Sequence, residues 1–509
     1  MVPRATTGER VTELAVGAAE LRAWSLEWSR QWWDADDHLA HNSAGSFDEL
    51  PARSVHLTPQ TAWVAYGLLG STDPADHAEA DAAVAALLAI QYDAPGHRFH
   101  GTFARFPEVP YPPDEPRMWE DYDPNWRQFI GTALALMLED HPDRLSEARR
   151  EAMLAAIALA CEGEEAEGRL DASYANPALM HAWLDAWCGR ARGNEPQVRR
   201  GEQFAARIVE RFDRFGAFDE YNSPTYYGVD LYALALWRTF PPTDRFADDG
   251  ERLEAAIWHE AARFHHAGLA NSCGPYTRSY GPDATTTVTL LSLWIWAAFG
   301  RELAPLPDLD AASIDHGHDL MAGPLIARLA QPPADAGDRA SFARFDEPRQ
   351  IRRELPGGRL ITAAMSEDLM VGAEASDHDW LGWPQFMPVV AHWREADGIA
   401  VLWMTDVRRV RASAEDHHLA LEVERPGEEP SIELSLSVAA CAVVANEIRT
   451  EGVRLHIAGE GHHEVSVSTE QIDARLHRVT ITPCDATTTL RCTLTFEAVV
   501  PTDLQRPSG

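Results

Sequence analysis

Gly216-Ala-Phe-Asp-Glu-Tyr-Asn-Ser-Pro-Thr-Tyr-Tyr-Gly-Val-Asp230 is the stretch on which the reading of this chain turns. Asn is a strong helix N-cap and Pro suits a first helical turn, so Asn222-Ser-Pro224 predicts a helix start. Asn222, Tyr226 and Asp230 are spaced four apart, which on a helix puts them on one face two turns long. Glu220 and Tyr221 stand in the loop just before it. The polar stripe runs beside Leu231, Ala235 and Leu236, which suits a wet inner surface better than a dry core. A buried Tyr–Asp hydrogen bond between helices is the competing reading of Asp230.

Similar chemistry occurs twice upstream. Asp123-Pro-Asn-Trp-Arg127 and Tyr174-Ala-Asn-Pro177 each precede an apolar helical run. Asn125, Asn176 and Asn222 lie 51 and 46 residues apart. That period fits a helical hairpin with its two turns, so stacked α-hairpins are expected. Two further helices follow Ser54-Val-His-Leu-Thr-Pro59 and Gly281-Pro-Asp283. If the hairpins close into a ring, the inner helices start at one rim and their caps and preceding loops surround one cavity. Plain capping explains any single Asn, but aromatic and basic company at three successive caps points to a binding rim. Asn125, Trp126 and Arg127 belong to that rim on this reading.

The periodicity changes along the chain. From about residue 10 to 330 apolar runs such as Phe129–Leu138, Leu179–Trp187 and Val288–Phe299 read as buried helices. From about 350, short runs such as Ile399–Met404, Ile432–Val438 and Leu490–Phe496 often alternate polar with apolar, the pattern of an antiparallel sandwich. The expected fold is α+β and multidomain: an α/α toroid over 1–330, a Pro-rich linker over 331–349, an antiparallel β-sandwich over 350–500 and a fraying tail over 501–509.

Composition excludes several functions. Seventy-nine acids against 44 bases leave a net charge of −35 over 509 residues. That field repels nucleic acid and anionic membrane, so neither is an expected partner. All 44 bases are Arg, which excludes Schiff-base, pyridoxal-phosphate and P-loop lysine chemistry. Six Cys form no Cys-x-x-Cys pair, and His97/His100, His265-His266 and His417-His418 lack the rest of a site, so no metal or other cofactor is expected. No apolar signal segment follows Met1 and no run is long enough to span a membrane. A cytoplasmic location with free thiols, and an oligosaccharide rather than a polymer as substrate, are the corresponding expectations. A homo-oligomer is compatible with the sequence but not specified by it.

Three further constellations complete the candidate site. Tyr174 and Asn176 precede His181 and Asp185, spaced four apart so that the carboxylate could orient the imidazole. Asn271-Ser-Cys-Gly-Pro-Tyr-Thr-Arg-Ser-Tyr-Gly-Pro-Asp283 offers Tyr276, Arg278 and Tyr280 on a Gly/Pro-punctuated loop. In the second half, His378-Asp-Trp-Leu-Gly-Trp-Pro-Gln-Phe386 offers Trp380, Trp383 and Gln385 as a lip, with indole faces that stack on sugar rings.

A toroid followed by a sandwich, with Asn, Tyr, His and Arg at the inner rim, resembles the two-domain polysaccharide lyases of the chondroitin, hyaluronate, heparin and alginate type over roughly residues 10–500. Asn222 with Tyr226 is similar to the Asn-x-x-x-Tyr arrangement of those families, whereas their Asn-His pair is absent. The resemblance implies metal-independent β-elimination beside a uronate. Asn222, with Asn176 or Arg278, would hold the carboxylate; Tyr226 or Tyr227, or else His181, would move the proton. The same toroid also resembles glycoside hydrolases. There Glu220 would be the acid and Asp123, Asp230 or Asp283 the base. A non-catalytic sugar-binding toroid and an isomerase are lesser alternatives.

Overall fold

The computed structural model describes residues 15–47, 50–378, 385–405, 409–424, 431–459, 463–469, 475–483 and 489–499. The expected tail at 501–509 lies outside them. Among the described residues twelve α-helices come first: α1 (Ala18–Arg30), α2 (Thr58–Leu69), α3 (Pro74–Ala89), α4 (Trp126–Asp140), α5 (Glu147–Glu167), α6 (Ala175–Arg192), α7 (Glu195–Phe215), α8 (Tyr226–Thr239), α9 (Asp244–Phe264), α10 (Leu290–Phe299), α11 (Gly323–Leu329) and α12 (Ala336–Ala343). Helices α2/α3, α4/α5, α6/α7 and α8/α9 pair as hairpins. Helices α2, α4, α6, α8 and α10 touch in succession, and α1 with α11 closes the ring between α10 and α2.

Sequence decides which helix stands inside. Every residue of α2 is buried, as are Tyr226–Trp237 of α8 and Leu290–Ala298 of α10. Such helices are apolar on all sides, as a helix enclosed by others must be. By contrast α7 buries only the face of Val198, Phe204, Ile208 and Phe212, and α9 that of Phe246, Leu253, Ile257 and Phe264. Their opposite faces are charged, which makes them the outer layer.

The caps differ from expectation. Outer helices α3, α5 and α7 are capped by Asp73, Ser146 and Asn194. Inner helices α2, α4, α6 and α8 have no side-chain bond from their N-cap residue. Asn125 sits at the α4 N-cap without capping it, Asn176 lies inside α6, and Asn222 precedes α8 with a left-handed φ of 49°. The four-residue spacing of Asn222, Tyr226 and Asp230 is therefore not one helical face, because Asn222 is not helical.

The second half is one antiparallel sheet of 14 strands among the described residues, from Arg349–Leu355 to Thr489–Ala498. Alternating burial, as in Arg409–Glu415, turns one face of each strand inward. The sheet folds over its own core of Val371, Trp393, Leu402, Leu421, Leu436, Ile457, Val479 and Phe496. Its strands Ala442–Val444 and His463–Thr469 approach each other, so the sandwich is nearly a closed barrel. Residues 331–349 hold α12, whose Phe342 is buried against Trp258 and Phe299. No helix among the described residues is long and apolar enough to cross a membrane.

The two halves share a core. Ala217, Tyr221, Phe264 and Cys273 of the toroid pack with Ile351, Leu355, Ile361, Met365 and Met370 of the sheet. Gly372 permits the closest approach, since a Cβ there would stand 1.8 Å from the Gly274 carbonyl oxygen. Arg359 locks the contact: Nε and Nη2 donate to Glu374 at 2.7 and 2.9 Å, Nη1 to the Asp219 carbonyl at 3.0 Å and Nη2 to Thr277 at 2.5 Å. Glu374 is fully buried. Arg359→Met strands that carboxylate and is expected to cost about 3–5 kcal/mol in urea unfolding, whereas Arg359→Met with Glu374→Leu recovers most of the loss. Equal losses in the single and double variants would show that the lost bonds to Asp219 and Thr277, and not a stranded Glu374 carboxylate, carry the cost.

Candidate active site

The N-terminal ends of α2, α4, α6, α8 and α10 open on a cavity of about 950 Å³. Its wall carries Trp63, Trp119, Trp126, Phe47, Phe106 and Phe129, flat faces of the kind on which sugar rings stack. It also carries Asn125, Tyr174, Asn176, Tyr226, Arg278, Tyr280 and Gln385. These come from every constellation that the sequence singles out, brought together by the ring and the sheet.

Arg278 is the hub. Its Nε donates to Gln385 Oε1 at 2.9 Å, Nη1 donates to Glu220, and Nη2 donates to the Tyr226 hydroxyl at 2.6 Å. The guanidinium also lies over the Tyr226 ring, 3.8 Å from its centroid. Tyr226 and Tyr280 share a hydrogen bond of 2.8 Å between hydroxyls. Behind the hub, Glu220 accepts Asn176 Nδ2–H at 2.7 Å and the Asn176 backbone N–H at 3.2 Å. Asn125 donates to the Tyr174 hydroxyl at 3.2 Å. Burial pushes the Tyr226 hydroxyl well above the ordinary tyrosine range; Tyr280 beside it adds to this and the Arg278 charge opposes it.

Other expected site residues stand elsewhere. Asn222 spends its amide on the carbonyls of Cys273 and Pro275, at 2.7 and 2.8 Å. Tyr227 is in the toroid core, Tyr221 donates to Glu260, and Tyr276 donates to the Ser272 carbonyl at the joint with the sheet. Arg127 is buried against Glu164 and Glu167, at 3.2 and 2.7 Å. The expected His181–Asp185 pair does not form. Arg200 and Gln197 occupy Asp185, while His181 packs on Phe204 and burial lowers its imidazole pKa. Asp230 is fully buried and is not among the residues that line this cavity. Asp283 is tied into its own loop by Asn271 and Thr285. Trp380 and Trp383 lie outside the described residues.

The sequence reading missed one segment, Asp315-His-Gly-His-Asp319. Asp315, His316, His318 and Asp319 all line the cavity, and His316 stacks on Tyr280 at 4.2 Å. Two His flanking Gly between two acids was the available signal. Burial pushes His318 well below its usual range, and His316 adds to that. Burial, with Asp315 nearby, raises Asp319 to about 7, and burial raises Asp123 to about 6. His316, His318 and Asp319 could hold a divalent ion, as could Asp34, His41 and His56 outside the cavity. The His pairs of the sequence, which lack the rest of a site, do not join either group. His100 accepts the Ala94 N–H, His266 accepts the Leu269 N–H, and the exposed rings of His417 and His418 lie tilted at 39° with centroids 4.1 Å apart.

A family model described as a domain of unknown function, DUF8769, matches residues 19–331. No curated protein matches the chain in sequence. Among solved structures, heparinase III aligns over 98% of this chain and 87% of its own at 8% identity, with a TM-score of 0.53. Chondroitin AC lyase of Streptomyces coelicolor A3, in complex with chondroitin sulphate, aligns over 97% and 81% at 11% identity and a TM-score of 0.40. Endoglucanase CelQ from Clostridium thermocellum, complexed with cellotetraose, aligns over 96% and 94% at 10% identity and a TM-score of 0.31. The heparinase III match shows a shared fold, toroid and sheet together.

The raised carboxyl of Asp319 has a measurable consequence. From about pH 4 to about pH 7 the folded chain keeps a proton that the unfolded chain has released, so stability falls across that window and is flat above it. Asp319→Asn removes this dependence. Relative to the variant, wild type should lose roughly 1–3 kcal/mol between those limits, read as a falling Tm in calorimetry. Parallel pH profiles for the two proteins would contradict it.

Proposed function

We propose that this chain, which belongs to the DUF8769 family, is a carbohydrate-active enzyme that cleaves an oligosaccharide by β-elimination beside a uronate carboxylate. One observation carries the reading: a phenol pair, Tyr226 and Tyr280, stands on the cavity wall with a fixed cation against the inner hydroxyl. The heparinase III fold and the aromatic wall support it.

In this reading the uronate carboxylate sits toward Arg278 and the N-terminal end of α4, where Asn125 makes no capping bond and the positive dipole end favours an anion. Neutralising the carboxylate makes the adjacent C–H acidic, because charge moves into it as the proton leaves. Tyr226 first releases its hydroxyl proton to solvent, a step that burial opposes and the Arg278 charge favours; its oxygen then takes the substrate proton, while Tyr280, 43% exposed and hydrogen-bonded to it, gives its proton to the departing glycosidic oxygen and regains one from Tyr226. The C–O bond breaks and a double bond forms in the uronate ring. Asn125 replaces Asn222 as the amide nearest the substrate. Glu220 and Asn176 position Arg278 and do not touch the sugar. No step calls on a metal.

A hydrolase is the second reading, favoured by Asp123 and Asp319. Both line the cavity and burial holds them at about 6 and about 7, a range suited to general acid and base. Glu220 does not fit the acid role, because both its oxygens are engaged by Arg278 and Asn176.

The two readings differ in product. Uronate-containing and neutral oligosaccharides are incubated with wild type, Tyr226→Phe, Tyr280→Phe and Asp123→Asn, and ultraviolet absorbance and reducing ends are followed together. Elimination predicts new absorbance on uronates only, reduced about 10²–10⁴-fold in Tyr226→Phe. Reducing ends without absorbance, abolished in Asp123→Asn but not in Tyr226→Phe, would replace the lyase with a hydrolase.

A further inference from the structure

Three short segments meet just outside the cavity wall. Asp34 ends the strand Trp33–Asp34, which pairs with Leu39–Ala40. His41 follows and bridges to His56, two residues before α2. The two imidazoles stack with centroids 4.1 Å apart and planes 20° apart. Both direct Nε2 at one carboxylate oxygen, Asp34 Oδ2, at 3.1 Å from His41 and 3.6 Å from His56. The other oxygen, Oδ1, accepts the backbone N–H groups of Asp36 and Asp37 at 2.9 and 3.2 Å, which fixes the carboxylate in this pose.

Glu108 settles the tautomer of His56. It accepts the Nδ1–H and also the His56 backbone N–H. A neutral imidazole with its proton on Nδ1 carries a lone pair on Nε2. That Nε2 is buried without a hydrogen-bond partner, in a residue 7% exposed, and it faces the lone pairs of Asp34 Oδ2. Two lone pairs in that position repel unless a cation lies between them.

We infer that Asp34, His41 and His56 bind a divalent transition-metal ion, with zinc the best match. Zinc bonds of about 2.0–2.1 Å in a tetrahedron separate neighbouring donor atoms by about 3.3 Å, and the two nitrogen–oxygen distances bracket that value. Two imidazoles and one carboxylate suit zinc, whereas calcium and magnesium want oxygen donors throughout. A carboxylate on the far nitrogen of a ligand imidazole is the outer-shell support that zinc sites use to fix ring orientation.

The ion's role follows from its neighbours in the chain. His56 runs directly into Leu57, Thr58, Pro59 and Gln60, and Glu108 lies two residues beyond Phe106; all but the two ligating and supporting groups line the cavity. The ion draws the two ends of the connection between α1 and α2 together, and Glu108 links His56 to the loop before α4, so that one wall of the cavity is held. It touches neither Tyr226 nor Arg278, so it is a structural site, and the inference does not rest on the lyase reading.

The test uses the full chain, freed of metal with a chelator and titrated with zinc chloride alone by calorimetry. One equivalent is expected to bind saturably. Asp34→Asn and His56→Asn should weaken binding by at least about 100-fold, and Glu108→Gln by about 10–100-fold. His318→Asn, in the other group able to hold an ion, should bind like wild type. Cobalt substitution should give the visible spectrum of a tetrahedral site in wild type and lose it in His56→Asn. Circular dichroism checks each variant's fold, and Glu108→Gln, outside the ligand set, still decides the matter if a ligand variant unfolds. No saturable binding by wild type would overturn the inference. So would binding that survives Asp34→Asn and His56→Asn, or that disappears in His318→Asn.

Discussion

Arg278 reaches three parts of the chain from a position only 8% exposed. Through Nη1 it meets Glu220 before α8, through Nη2 the first residue of α8, and through Nε a side chain carried in by the sheet. Moving a guanidinium out of water costs several kcal/mol, so it stays there only because Glu220 supplies the opposite charge. Glu220 is in turn held by Asn176 at the start of α6. The ion pair therefore sets α6, α8, the Asn271–Asp283 loop and the sheet relative to one another. The phenol on which the proposed chemistry depends hangs from the same cation. Moving the sheet on the toroid would move the proton carrier, so the sheet is part of the site and not an appendage.

Asp230 shows how the charge of this hub is limited. It is fully buried, and neither of its carboxylate oxygens has a hydrogen-bond partner among the described residues. Burial, with Glu220 nearby, pushes its carboxyl well above the usual carboxylate range. Glu220 makes the ion pair with Arg278, while burial favours the uncharged form of Asp230, which has no cation of its own. From sequence, a protonated acid inside a ring of helices looks the same as an acid on a wet face. Both put Asp one turn from Tyr.

That ambiguity accounts for much of what was and was not legible. The ring was readable because an enclosed helix must be apolar all round, as in Leu290–Phe299, and because the hairpins repeat. Asn125, Asn176, Tyr226, Arg278, Tyr280 and Gln385 were recognised as polar groups at element starts, and the cavity collects them. Asn222, Tyr221 and Tyr276 share those local signals, yet they face the seam between toroid and sheet. No local pattern separates one rim of a ring from the seam beside it. His181 and Asp185 have the right spacing, but Arg200, fifteen residues beyond Asp185, takes the carboxylate. The groups around Asp319 and around His56 gather residues from separate loops or from a short irregular segment, where periodicity is silent.

The capping pattern bears on substrate charge. A side chain that caps a helix satisfies N–H groups that would otherwise seek an anion. Side-chain caps stand on the outer helices α3, α5 and α7, through Asp73, Ser146 and Asn194, and on the inner helix α10 through Thr289, while α2, α4 and α6 start at the cavity without one from their N-cap residue. Glu220 already uses one of those inner N–H groups, at Asn176, which shows what kind of partner the position accepts. Burial meanwhile keeps Asp319 and Asp123 partly protonated near neutral pH, which lowers the negative charge of the wall. A chain with a net charge of −35 can therefore carry a cavity wall less negative than its surface as a whole. Far from the protein the acids dominate and slow the approach of an anion. Within the cavity, at less than a Debye length from Arg278 and the helix ends, the nearer charges decide.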